Sequence, residues 1–251
     1  MEFCERYGPW AVVAGASEGI GASVSRLLGE RGVNVVLVSR RQGALDEVAS
    51  TVQTSTRTVA LDLSIRDADA ALAAATQDLD VGLLVYNAGA DPYASRFLDQ
   101  PLESWAGLVR RNVDNVLGAS YRFAKPMAAR GHGGIVLVTS GAAWAGGAYI
   151  AAYGASKAFD LVLGEALWAE LKPLGVDVLS IVLGMTDTPA FRRMLHGRDM
   201  PGIASADDVA RDMLDNLADG PTWPPAASPF GAMTRREAVE LMSQGSAFLA
   251  E

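Results

Sequence analysis

The chain of 251 residues is poor in several things, and each shortage excludes something. Cys4 is its only cysteine, so no internal disulfide can form and a reducing compartment suits it. The two histidines, His132 and His196, stand without the neighbours that a metal site needs, so no metal is predicted. Positive charge is short: 21 Lys and Arg against 29 Asp and Glu leave a net charge of −8. That balance argues against a nucleic-acid binder and against adhesion to an anionic membrane. No run reaches the roughly 20 apolar residues of a spanning helix, and MEFCERYGPW has no secretory pattern. A soluble, cytoplasmic protein is expected.

Apolar residues, in contrast, make up half the chain and are organised. Short, nearly continuous apolar runs recur at Trp10–Ala14, Asn34–Ser39, Thr58–Leu61, Val81–Tyr86, Ile135–Thr139 and Val176–Leu183. Such runs read as strands buried on both faces of a parallel sheet. Helical patterns lie between them, at Ile20–Arg31, Gly43–Val52, Asp67–Asp78, Leu102–Arg130 and Ala151–Leu174. Regular alternation with short connections predicts right-handed βαβ units. The expected fold is α/β: one domain over 1–251, a doubly wound, Rossmann-like parallel sheet with helices on both faces. The prolines of PTWPPAASPF cannot sit inside a helix, so 221–251 is read as a C-terminal appendage carrying an amphipathic segment, Arg235–Leu249.

The first strand runs straight into GASEGIG, with Gly15, Gly19 and Gly21. Gly15 permits a tight turn, and Gly19 lets the backbone approach a pyrophosphate at a helix N-terminus. Gly21 lets that helix pack closely on the strand. The alternative is an ordinary glycine-rich turn; the strand before it and the helix after it favour a nucleotide. At the end of the second strand stand Ser39, Arg40 and Arg41, with no acid for the ribose hydroxyls of NAD. Arginines there suit the 2′-phosphate of NADP, so NADP(H) is favoured and NAD(H) kept as the alternative, since two solvated arginines are also common at a strand end.

Further on, GAYIAAYGASK places Tyr153 and Lys157 one helical turn apart among small residues. A free phenol ionises too high to exchange protons efficiently at neutral pH. An ammonium one turn away stabilises the phenolate. A bare Tyr-x-x-x-Lys is weak evidence, since chance supplies one in about one of fourteen sequences of this composition. Here it has context. GASEGIG, LDLS around Asp62, YNAG at Tyr86–Gly89, Asn112, VTS ending at Ser140, and YGASK follow one another in order. Together they resemble the single-domain branch of the short-chain dehydrogenase/reductase family, from Trp10 to about Pro189. The opening RYGPWAVVAGASEGIG is similar to the subgroup of hydroxysteroid dehydrogenases and long-chain ketoacyl reductases.

That resemblance implies a nicotinamide-dependent oxidoreductase with four catalytic positions. Tyr153 would be the general acid or base, and Lys157 would support it and reach the nicotinamide ribose. Ser140 would hydrogen-bond the carbonyl, and Asn112 would hold a water. It implies cofactor contacts from Gly15, Ser17, Gly19, Ile20 and Gly21 in the first turn, and from Arg40 and Arg41. Asp62 and Leu63 would lie at the adenine, Asn87 and Gly89 after the fourth strand, and Thr186 after the sixth. It also implies a homodimer or homotetramer through the long helices, where Phe159, Leu163 and Leu167 would form part of the contact.

Three positions depart from the family pattern: Ala14 replaces a threonine, Glu18 stands where many NADP-preferring members are basic, and Leu183-Gly184 replaces Pro-Gly. Glu18 would oppose a 2′-phosphate unless it points away or pairs with Arg40. A substrate lid is expected over 185–204. The segments 90–98, 141–150 and 185–203 would surround the substrate. The first offers Tyr93 and Phe97, the second Trp144 and Tyr149, the third Met185, Phe191, Met194, Leu195, Met200 and Ile203. Such a lining suits a small hydrophobic ketone or secondary alcohol. His196 has a minor claim to touch it, and His132 reads as part of a turn. Asn115, one turn from Asn112, competes with it for the water-holding role, but its spacing to Ser140 is wrong; Trp105 and Asp207-Asp208 read as structural. A cofactor-sensing protein without turnover remains the rival from another class, although such a sensor has no need of a poised proton donor.

Overall fold

Valine, leucine and isoleucine in unbroken runs form strands because both faces of the sheet are covered. The computed structural model describes residues 2–195, 198–224 and 233–247. In chain order the first half is α1 (Phe3–Tyr7), β1 (Trp10–Ala14), α2 (Gly19–Glu30), β2 (Asn34–Ser39), α3 (Gln42–Ala49), β3 (Thr56–Ala60), α4 (Ala68–Ala75) and β4 (Val81–Tyr86). There follow α5 (Leu102–Val109), α6 (Asn115–Arg130), β5 (Gly133–Ser140), α7 (Ala151–Leu171) and β6 (Val176–Leu183). The last elements are β7 (Thr186–Asp187), α8 (Pro189–Met194), β8 (Ala204–Ser205), α9 (Ala206–Asp215), β9 (Thr222–Trp223) and α10 (Arg235–Ala247). None of the described helices is long and apolar enough to cross a membrane.

The main sheet has the order β3-β2-β1-β4-β5-β6-β9, with parallel pairings throughout. Strand residues alternate between two cores. Val13, Val35, Leu37 and Val85 pack with Val24 and Leu28 of α2 and Met213 of α9. Val12, Val36, Val38 and Leu84 pack with Leu72 of α4 and Val116 and Phe123 of α6. Each such side chain contributes roughly 1.5–3 kcal/mol on burial. The doubly wound parallel sheet expected from the alternation is therefore what forms.

Four expectations about elements change. The helix expected over 102–130 is two helices, because a π-helical turn, Arg110–Asp114, separates α5 from α6. The helix expected to reach Leu174 leaves α-geometry at Leu171 and closes with a 3-10 turn, Lys172–Leu174. Pro173, having no N–H, cannot continue the ladder. The segment read as an appendage from residue 221 begins inside the sheet: Thr222 and Trp223 pair with Ser180 and Ile181 of β6 as β9. The third strand also lies earlier than expected, at Thr56–Ala60.

Candidate functional site

The strand order reverses between β1 and β4, so the chain leaves their C-terminal ends in opposite directions and opens a crevice there. A cavity of about 890 Å³ occupies it. It brings together Gly15, Ser17, Gly19, Ile20, Arg40, Arg41, Asp62, Leu63, Asn87, Gly89, Ser140, Tyr153, Lys157 and Thr186. Of the catalytic and cofactor residues expected from the sequence, only Gly21 and Asn112 are not on its wall.

The turn between β1 and α2 forms one end. Gly15 and Gly19 have φ of +84° and +55°, the left-handed region that glycine enters without cost. Gly21 lies against the turn itself, since a Cβ there would meet the Gly15 carbonyl oxygen. Asn87, just past β4, donates its amide to that carbonyl at 3.0 Å and ties the two crossover strands together. The N-terminus of α2 thus faces the cavity with its amides free of bulky side chains, an arrangement that fits a pyrophosphate.

Charge gathers around this end. Glu18 pairs with Arg193 of α8 at 2.5 Å and with Arg41 at 3.3 Å. Arg40, the partner considered from the sequence, is not the one the fold supplies. The hydrogen bond from Arg193 is the main reason that the Glu18 carboxyl is held below its ordinary range. Arg40 lines the cavity and forms no ion pair among the described residues. Asp62 accepts from the Ser64 amide and hydroxyl at 2.9 and 2.7 Å. Burial works against its ionisation, but those bonds and the charges of Arg40 and Arg111 outweigh it and hold the carboxyl low.

The other end carries the phenol and the ammonium. Tyr153 lies in the first turn of α7, with Lys157 one turn on and its Nζ 6.0 Å from the tyrosine ring centre. Ser140 ends β5, and its Oγ accepts from the Ala142 amide at 3.2 Å. Lys157 is almost fully buried; its Nζ donates to the Val138 carbonyl at 2.8 Å and to Asp160 at 2.9 Å. Gly89 is pressed against that Nζ, so no side chain fits there while the lysine holds this position.

Asn112 sits in the π-helical turn, fully buried. Its Nδ2 donates to the Gly89 carbonyl at 3.3 Å and to the Ser156 hydroxyl at 3.0 Å, while Oδ1 accepts from Arg111 at 3.0 Å. The side chain expected to hold a water is thus engaged with protein, bracing the strand β4 exit against α7. Asn115, the rival for that role, donates to the Leu63 and Ile65 carbonyls, each at 2.9 Å. Ser205 caps α9 through the Asp207 amide at 3.2 Å, and His132 faces the Arg6 carbonyl. His196 lies outside the described residues.

The apolar wall differs from its sequence reading. Of the ten side chains named, the cavity is lined by Met185, Phe191 and Met194, joined by Ile150 and by Met242 of α10. Tyr93 and Phe97 turn away to pack on Trp105, edge-on and stacked. Tyr149 faces Arg96. Between β7 and β8, which pair, α8 carries Phe191 and Met194 to the cavity. The tail reaches the same place, with Ser243 accepting a 3.0 Å bond from the Ala148 amide. Arg111, Asp160, Arg193 and Met242 escaped the sequence reading. Asp160 alone had a local signal, as an acid three residues beyond the lysine.

The site has relatives. The sequence pattern of the family described as short chain dehydrogenase matches residues 9–199. A 7β-hydroxysteroid dehydrogenase of Mediterraneibacter gnavus is 33% identical over 201 residues, 78% of this chain and 76% of that one. A solved structure from work on 7β-hydroxysteroid dehydrogenase stereoselectivity superposes with a TM-score of 0.88 at 27% identity, over 96% of this chain and 99% of that one. A short-chain dehydrogenase from Sphingobium yanoikuyae in complex with NADPH superposes with a TM-score of 0.77 at 26% identity, over 95% and 94% of the two chains. With the glycine turn, the phenol and the ammonium on one cavity wall, these matches establish that the chain belongs to the short-chain dehydrogenase family of NAD(P)(H)-linked oxidoreductases.

Proposed function

We propose that the protein is an NADP(H)-dependent oxidoreductase interconverting a hydrophobic ketone and its secondary alcohol. One observation carries the reading: a single cavity joins the glycine turn and unpaired Arg40 to Ser140, Tyr153 and Lys157 under an apolar wall. A nicotinamide dinucleotide held by the glycine turn and Arg40 would supply the hydride. Tyr153 gives the alkoxide oxygen its proton in reduction and takes it back in oxidation. Lys157 supports the phenolate by its charge, and the Ser140 hydroxyl donates to the carbonyl oxygen as charge develops there. The wall of Ile150, Met185, Phe191, Met194 and Met242 excludes water and fits a bulky, apolar carbonyl; the likeness to 7β-hydroxysteroid dehydrogenases favours a steroid-sized ring system.

Arg40 supports the phosphorylated cofactor, because Glu18 already occupies Arg41 and leaves Arg40 to meet a 2′-phosphate. Replacing Arg40 by alanine should weaken NADPH binding about tenfold to a hundredfold, the worth of a charge-assisted contact, with NADH nearly unchanged. Titrating both cofactors by fluorescence checks this; equal losses for the two would assign Arg40 elsewhere. The reaction itself is tested by NADPH and NADH oxidation against steroid, aliphatic, cyclic and ketoacyl ketones. NADPH binding without turnover of any of them would favour the cofactor sensor.

A homodimer or homotetramer fits the long helices, with a different contact from the one expected. Leu163 and Leu167 pack on the core. The outward apolar side chains include Val162 of α7, Leu117 and Tyr121 of α6, and Leu102 of α5, with exposures from 51% to 78%. Tyr121→Glu should shift the sedimenting species toward monomer at micromolar concentration. A wild-type monomer would refute the assembly.

A further inference from the structure

Three residues of α7, Tyr153, Lys157 and Asp160, are spaced by four and then three, so they share one helix face. The first two belong to the proposed proton-transfer site, while the third has no part in it so far. Asp160 is 2% exposed. Its Oδ2 accepts the 2.9 Å bond from Lys157, and its Oδ1 has no hydrogen-bond partner among the described residues. Nearby hydroxyls are committed elsewhere: Thr139 donates to the Lys157 carbonyl at 2.6 Å, and Ser180 to the main-chain oxygens of Asp160 and Leu161, each at 3.4 Å. Burial pushes the Asp160 carboxyl above its ordinary range, against the pull of Lys157.

A carboxylate in this position is costly. A buried acid with one donor loses several kcal/mol of hydration that a single ion pair does not fully restore, and an apolar side chain would pack there at less cost. What distinguishes the aspartate from an apolar residue is its charge, aimed at the ammonium that acts on Tyr153. We propose that Asp160 is a positioning residue and counter-charge for Lys157, which cancels part of the ammonium's field and so keeps Tyr153 protonated to higher pH. The consequence is a bias of function: at neutral pH the phenol is held as a proton donor, and the site is set for carbonyl reduction. This rests on the roles proposed above for Tyr153 and Lys157.

Among the described residues, other titratable or charged groups come to this region from neighbouring elements, among them Asp91 after β4, whose carboxyl is pushed above its ordinary range by burial. From β4 comes Tyr86, which burial and then the Asp160 charge keep neutral to high pH; its hydroxyl donates to the Arg111 carbonyl at 3.0 Å. From the π-helical turn comes Arg111, which bonds Asn112 at 3.0 Å and the Ala90 carbonyl at 2.5 Å. β5 presents Thr139 and Ser140, and β6 presents Ser180, none of which titrates. The acid of β6, Asp177, stands at the opposite end of that strand, held by Tyr7, Arg6 and Lys172.

The test reads the phenolate band of Tyr153 in the ultraviolet during a pH titration of the full chain, without cofactor or substrate. Wild type and Asp160→Asn are each measured against the same protein carrying Tyr153→Phe, so that the other tyrosines cancel. Loss of the counter-charge should bring the Tyr153 band in about one pH unit lower. Asp160→Ser is measured in parallel, so that the comparison survives should asparagine fail to fold there. An unchanged or higher midpoint in the folded variants, or no Tyr153 band in any of the proteins, overturns the proposal. A merely structural ion pair would change the melting temperature and leave the band where it was. Because no turnover is involved, a shifted band in a protein that reduces no ketone would sink the proposed reaction and leave this inference standing.

Discussion

Replacing Tyr153 by phenylalanine should lower kcat for ketone reduction by at least about a hundredfold, and up to about ten-thousandfold, while the protein still binds NADPH. The substitution removes one hydroxyl from a ring that stays in the first turn of α7, so packing is little disturbed. What is lost is the proton that must reach the alkoxide oxygen. No histidine among the described residues lines the cavity, and Ser140, a hydroxyl on the same wall, is far less acidic than a phenol. The loss should fall on kcat rather than on KM, because the proton moves only as the carbonyl is reduced. Stopped-flow measurement of NADPH oxidation, with cofactor affinity taken from fluorescence, separates the two. A rate within threefold of wild type would remove Tyr153 from the chemistry.

The second large effect is expected at Gly21, which is not itself on the cavity wall but lies against Gly15, which is. A methyl group at this position would run into the Gly15 carbonyl oxygen, which is backbone and cannot swing aside. Either α2 moves off the end of β1 or the turn opens. Gly15 is itself held by its amide on the Val38 carbonyl at 2.8 Å and by Asn87 on its own carbonyl, so the turn resists. Gly21→Ala should therefore cost about 1–3 kcal/mol of stability, as overpacking does, and weaken both NADPH and NADH by more than about tenfold. The two cofactors should suffer alike, in contrast to Arg40→Ala, because the turn meets the pyrophosphate they share. Thermal melts with and without each cofactor check both halves. Unchanged affinity would mean that α2 can retreat without carrying the pyrophosphate site along.

GASEGIG was legible because its glycines answer a local need, positive φ and a close helix approach, within seven residues. Tyr153 and Lys157 were legible because helical geometry alone puts them on one face. Asp160 shares that face by the same arithmetic, yet nothing local says that its carboxylate turns inward to Lys157; an acid at such spacing is usually solvated. The substrate wall was read less well. Tyr93 and Phe97 belong to an apolar loop near the cavity, but Trp105, from the next helix, captures them.

By itself the sequence determined the order of strands and helices, the parallel sheet, the glycine turn and the Ser140, Tyr153 and Lys157 set. The elements and the sheet follow from periodicity, the turn from glycine's freedom, and the Tyr153–Lys157 pair from spacing within one helix, while Ser140 is supplied only by the resemblance to the family. Tertiary structure alone decided that the helix over 102–130 breaks into a π-helical turn at Asn112, since apolar periodicity tolerates one extra residue in a turn without visible change. It alone decided that Glu18 is held by Arg193, 175 residues away, and by Arg41 rather than Arg40. It also decided that the tail adds β9 to the sheet and Met242 to the cavity. Those outcomes depend on which distant groups meet once the sheet is wound, and a charge or a short strand carries no mark of its partner until the fold brings the two together.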